Sequence, residues 1–89
     1  MKEVRITGQF RKDLKRFRHR STLLEKVYQV SSLLKDGKTI PRKYRPHKLT
    51  GRWEGYMECH VESDLLLIWY ETLTDGTEIV YLVRLGSHS

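Results

Sequence analysis

Residues 2–7 alternate in polarity, with Val4 and Ile6 facing one way and Glu3 and Arg5 the other, the two-residue period of a short half-buried strand. From Gln9 to about His19 the period lengthens to that of a helix. Phe10, Leu14 and Phe17 form its stripe, and Arg11, Lys12, Lys15, Arg16 and Arg18 fill the remaining surface. Thr22-Leu23-Leu24-Glu25 has capping-box spacing, in which a threonine oxygen accepts an early backbone N–H and the glutamate reaches back to the cap. A second helix is therefore predicted to begin there. Its apolar positions Leu23, Leu24, Val27, Tyr28, Val30, Leu33 and Leu34 make a wide stripe that stops at Asp36-Gly37. The two helices are expected to form an antiparallel hairpin.

The segment from Lys38 to Pro46 holds both prolines and several basic residues, so an ordered but irregular connection is expected. Strand-like stretches follow around His47 to Leu49, Arg52 to His60, Leu65 to Glu71 and Thr77 to Leu85. Asp75-Gly76 suits the tight hairpin between the last two, because both residues tolerate positive φ. No repeat or low-complexity segment interrupts the chain. The expected fold is α+β, one domain over residues 1–89 in the order β-α-α-β-β-β-β. Two N-terminal helices pack on one face of a small, largely antiparallel sheet of four to five strands, and the opposite face is left free for binding.

Composition narrows what that face can do. A chain of 89 residues buries only about 60–65% of its unfolded surface, which excludes a large enclosed ligand cavity. Apolar residues at 38% and a formal charge of +6 argue against both a disordered basic tail and a membrane protein. Neither a spanning helix nor a signal peptide is visible, and a lone cysteine, Cys59, suits a reducing compartment, so a cytoplasmic location is expected. The positive charge favours polyanionic partners without choosing among them.

Side chains two apart on a strand share a face, which groups Glu54, Tyr56, Glu58 and His60 on the free side and assigns Trp53, Gly55, Met57 and Cys59 to the layer under the helices. A single exposed glutamate or histidine is ordinarily a surface residue; a cluster is another matter. His47, His60 and His88 all lie near strand or turn boundaries, and convergence at one rim beside Glu58, Asp64 and Arg84 would make an acid–base constellation. Such a set suits RNA, whose 2′-hydroxyl is a built-in nucleophile: cleavage needs a base, an acid and positive charge at the phosphate, and no cofactor. Three histidines and carboxylates also suit a metal, but no HExxH-like pair is present, and neither metal nor cofactor is expected. Trp53, Trp69 and Tyr70 suit core or cross-strand packing better than base stacking, whereas Tyr56 shares the face of Glu58 and His60 and is the stacking candidate. Lys12, Lys15 and Arg16 of the first helix, with Arg42, Lys43 and Arg45, form a candidate electrostatic footprint for nucleic acid. Cys59 is expected to be buried and unreactive.

The run from His47 through Lys48-Leu49-Thr50-Gly51-Arg52-Trp53-Glu54-Gly55-Tyr56-Met57-Glu58-Cys59-His60-Val61, then Asp64-Leu65-Leu66-Leu67-Ile68-Trp69 and finally Arg84-Leu85-Gly86-Ser87-His88, resembles the YafQ branch of the RelE/ParE toxin superfamily. Phe10-Arg11-Lys12-Asp13-Leu14-Lys15 resembles its first helix, so the likeness spans nearly the whole chain. The resemblance implies a RelE-like fold and a type II toxin that cleaves messenger RNA in the ribosomal A site, against ribosomal RNA, and is silenced by a cognate antitoxin. It places His47, His60 and His88 at active-site positions, Glu58 and Asp64 at acidic ones and Arg84 at a phosphate contact. His47 or His60 with the carboxylates then forms the base machinery, and His88 is the acid. Relatives often carry a few residues beyond this point, including a phenylalanine that helps hold RNA. The present sequence stops at Ser89, so either the tail is shorter or the sequence is truncated, and with a shorter tail weaker substrate positioning is expected. A gyrase-inhibiting toxin of the ParE kind and a non-catalytic basic RNA-binding module are the alternatives, since a fold alone does not define an activity.

Overall fold

Thr7 is where the strand period gives way to the helical one, and its two polar groups show how. The backbone N–H donates to the Leu82 carbonyl, extending the pairing of the first strand. The side-chain oxygen accepts from the Phe10 N–H as the helix N-cap and donates its own proton to the Val83 carbonyl. The computed structural model describes residues 1–87, so His88 lies outside the described residues. The elements are β1 (Glu3–Ile6), α1 (Gly8–Arg16), α2 (Ser21–Lys35), β2 (His47–Lys48), β3 (Met57–Glu62), β4 (Leu65–Thr74) and β5 (Thr77–Gly86). They form a single five-stranded sheet in the order β1-β5-β4-β3-β2. β1 runs parallel to β5 and all other pairs are antiparallel, so the sheet is mixed.

One layer of core lies between helices and sheet. Phe10, Leu23, Val27, Val30 and Leu34 meet Cys59, Val61, Leu67, Trp69, Val80, Leu82 and Leu85. Each fully buried leucine among them stabilises the fold by about 1.5–3 kcal/mol. Val4 packs against this layer as expected, but Ile6 stays outside it and is 38% exposed. Within the connection 38–46, Ile40 and Tyr44 are buried and residues 42–44 form a single 3-10 turn.

Two local expectations are corrected. α2 starts without the capping box: Arg20 holds the N-cap position with no side-chain cap bond, and Thr22 lies inside the helix. The ladder has already begun with the Leu24 N–H on the Arg20 carbonyl, which brings the fully buried Leu23 into phase. The strand expected from Arg52 begins only at Met57, because positive φ at Gly51 and Gly55 bends the intervening chain into a 3-10 turn. Trp53 therefore does not join the core layer and is 39% exposed, while Met57 and Cys59 do face the helices. At the other end of the sheet Asp75 and Gly76 both take positive φ in the tight hairpin, as predicted.

Candidate active site

Strand register arranges the face away from the helices into transverse rows. The pairings His47↔Glu58, Glu58↔Ile68 and Ile68↔Arg84 place these four residues in one row from β2 to β5. His60, Leu66 and Gly86 form the next row, towards the β3–β4 turn. Arg84 reaches this face because of a bulge. Ile68 pairs with Arg84 but Trp69 pairs with Leu82, so Val83 is an extra residue on β5. Strict alternation from the inward Leu82 would point Arg84 into the core; the bulge sends Leu85 inward and Arg84 outward. Glu58 and Arg84 now line a cleft of about 340 Å³ with Leu49, Trp53, Leu66, Ile68, Gly86 and Ser87.

His47 and Glu58 form the centre. The His47 Nδ1 stands 2.9 Å from the Arg45 carbonyl, which can only accept, so that nitrogen carries a proton. Its Nε2 stands 3.0 Å from Glu58 Oε1, a contact completed by one proton resident on either the imidazole or the carboxyl. The pair is thus an acid–base couple, with Glu58 only 5% exposed. His60 is set by the same arginine. A guanidinium can only donate, so Arg45 Nη2, 3.2 Å from His60 Nδ1, holds that nitrogen as an acceptor and keeps the ring's own proton on Nε2. Arg45 has left-handed backbone geometry, φ 49° and ψ 55°, just before Pro46. That uncommon conformation lets one residue orient both imidazoles, whose centroids are 6.1 Å apart. Arg45, expected only as a nucleic-acid contact, is a builder of the site.

Asp13 is the residue that sequence reasoning missed. Fully buried in α1, it accepts from the Leu85 backbone N–H at 2.9 Å, Arg84 Nε at 3.2 Å and Gln9 Nε2 at 3.1 Å. β1 ends at Ile6, opposite Leu82, and past that point Asp13 satisfies the β5 edge while orienting Arg84. Its signal was present: an acidic residue on the apolar side of a helix otherwise rich in Lys and Arg.

The remaining candidates divide. Tyr56 lies on the site face against Trp53 and Tyr70. Lys43 lines a second cleft, of about 330 Å³, with Arg45 and His60, and Arg42 is exposed in the same turn. Asp64 occupies the exposed β3–β4 turn and lines neither cleft. Lys12, Lys15 and Arg16 are exposed on α1 and line neither cleft. His88 is beyond the described residues. Burial, with the Glu58 charge beside it, pushes the Cys59 thiol up to about 12, so no thiolate nucleophile is available near neutral pH. The donor atoms of His47, Glu58 and His60 all lie within 4.8 Å of one another, close enough for a single metal ion.

A mixed sheet with two helices on one face and a histidine–carboxylate–arginine row on the other defines a RelE-like bacterial toxin. The family model for the bacterial toxin of type II toxin–antitoxin systems, YafQ, matches residues 2–89, and the chain belongs to that family. The mRNA interferase toxin YafQ of Escherichia coli K12 is 33% identical over 89 residues, covering 99% of this chain and 92% of that protein. An mRNA interferase is an endoribonuclease. A metal-bound toxin from Helicobacter pylori superposes with a TM-score of 0.85 at 33% identity, covering 99% of this chain and 96% of the other. The toxin of the E. coli DinJ–YafQ complex superposes with a TM-score of 0.79 at 32% identity, covering 99% and 94%.

Proposed function

We propose that this chain is the toxin of a type II pair and an endoribonuclease that cuts messenger RNA in the ribosomal A site by general acid–base catalysis without a metal. The observation that carries the reading is the His47–Glu58 proton contact, set in one sheet row with Arg84. The couple removes the 2′-hydroxyl proton, and O2′ attacks the adjacent phosphorus. As the P–O5′ bond breaks, the Arg84 guanidinium stabilises the extra negative charge. A cyclic 2′,3′-phosphate results, and the leaving 5′-oxygen takes a proton from His88. His60, its Nδ1 facing the Arg45 guanidinium, assists the base, and Asp64 is assigned a supporting acidic role. The expected substrate is a message strand presented by the ribosome. A cognate antitoxin that covers the basic face, as DinJ accompanies YafQ in its E. coli complex, is the expected partner in the cytoplasm.

An H. pylori relative is metal-bound, and in this chain the donor atoms of His47, Glu58 and His60, all within 4.8 Å of one another, are the expected holders of an ion. Such an ion would occupy the same lone pairs that accept protons, so it is expected to inhibit.

Purified chain added to ribosomes programmed with a defined message should cut within the bound codon. Glu58→Gln and His60→Ala should each lower the rate at least about 100-fold. Cutting should persist when the chain is stripped with EDTA and freed of the chelator before it meets the ribosomes, and should fall when zinc is added. Unchanged cutting in both variants would overturn the site. Intact message with inhibited DNA supercoiling would assign the chain to the gyrase-directed toxins, and salt-sensitive RNA binding without cutting would leave a binding module.

A further inference from the structure

A second row lies directly beside the catalytic one. Tyr70 is two residues beyond Ile68 on β4, a step of about 6.5–7 Å along the strand and on the same face. Tyr70 pairs with Tyr81, and Tyr81 sits level with Arg5 of β1. Tyr70 and Tyr81 stack at 4.9 Å with 19° between their planes. Tyr56 meets Tyr70 edge-on at 5.1 Å, and Trp53 meets Tyr56 in the same manner at 5.2 Å. These four rings form a continuous aromatic band that crosses the free face from the catalytic cleft, which Trp53 itself lines, to Arg5, whose guanidinium is paired with Glu3. Tyr56, Tyr70 and Tyr81 are half-buried and Trp53 is more open, so ring surface faces solvent along the band.

We propose that this band is a base-stacking platform for single-stranded RNA, receiving one or two unpaired bases that flank the phosphate held at Arg84. The inference rests on the RNA-cleaving reading for the identity of the polymer. Three features select RNA over a protein segment. The band is continuous with the catalytic row, so a strand that leaves Arg84 along β4 and β5 reaches it directly. Trp53, 39% exposed at the cleft end of the band, offers aromatic surface on which any base can stack without sequence preference. The chain as a whole carries a net charge of +6, which favours a polyanionic strand. Cross-strand tyrosines also stabilise a sheet, which makes stability an uninformative readout.

The chain contains two tryptophans, and Trp69 is 1% exposed, so solvent-side fluorescence changes report Trp53. The test is a fluorescence titration with a short single-stranded RNA carrying a 2′-deoxy sugar at the cleavage position, alongside the same strand with abasic flanking positions. The intact strand should quench Trp53. The abasic strand, and Tyr70→Leu or Tyr81→Leu with the intact strand, should bind roughly ten-fold or more weakly. Equal binding of abasic and intact strands would overturn the platform and leave only phosphate attraction. Self-association of the chain that disappears in Tyr81→Leu, with no RNA quenching, would assign the band to a second copy and also overturn it. The two readings fail separately. Quenching without cleavage would retain the platform and remove the nuclease, while cleavage with unchanged KM in both leucine variants would do the reverse.

Discussion

Asp13 shows how much a single buried carboxylate can organise. Three donors converge on it, and one of them belongs to Arg84 of the proposed catalytic row. Arg84 is 42% exposed at its side chain, so solvent weakens that ion pair, and most of the stabilisation comes from the buried Leu85 N–H and the Gln9 amide. Asp13→Ala should cost about 2–3 kcal/mol, seen as a lower urea midpoint with an unchanged slope. Asp13→Asn should recover most of that stability yet still lower cleavage, because a neutral amide no longer holds the guanidinium. In an Arg84→Ala background the same Asn change should have no further effect on rate; an additive loss would make Asp13 purely structural. Asp13 was visible in sequence only as an anomaly among basic residues. What it bonds to lies at Arg84 and Leu85, at the far end of the chain, and no local pattern encodes that.

Elements succeed or fail here at their ends. The stop of α2 was legible because it is a local matter of backbone geometry. Gly37 takes φ +68°, its N–H donates to the Leu34 carbonyl, and the Lys38 N–H donates to that of Leu33. A Cβ at this position would meet only the Lys2 side chain, at 4.0 Å, so space is not limiting. Gly37→Ala should therefore destabilise through strained backbone alone, by about 1 kcal/mol, measured by denaturant titration. The start of α2 was misjudged by two residues: the hydrogen-bond ladder begins at the Arg20 carbonyl with no side-chain cap, which leaves Thr22 inside the helix. β3 was overextended because alternation continues through 52–60, whereas positive φ at Gly51 and Gly55 breaks the strand.

Across the whole molecule, positive charge is distributed over two regions with different access to the site. Arg45 and Lys43 stand beside His60, whereas Lys12, Lys15 and Arg16 lie on α1 and line neither cleft. If the first group serves the scissile strand and the second serves ribosomal RNA, their substitutions should separate. Replacing Lys12, Lys15 and Arg16 by glutamine should weaken ribosome association. The slope of log affinity against log salt should become shallower by about 0.7–0.9 for each phosphate that the protein ceases to neutralise. Cleavage of message already bound should be unaffected. Binding measured over a range of salt concentrations, paired with single-turnover cutting, checks both parts.

Sequence alone determined the element order, the two-layer α+β architecture, the inward face of β3 and the identity of most polar residues on the outer face. These follow from short-range periodicity, which needs only a few neighbouring residues to be expressed. Tertiary structure decided which of those residues meet. Strand register brings His47 to Glu58, the Val83 bulge turns Arg84 outward, and left-handed Arg45 orients two imidazoles. Each depends on pairing between segments distant in the chain, or on a one-residue irregularity whose gain appears only once the sheet is assembled.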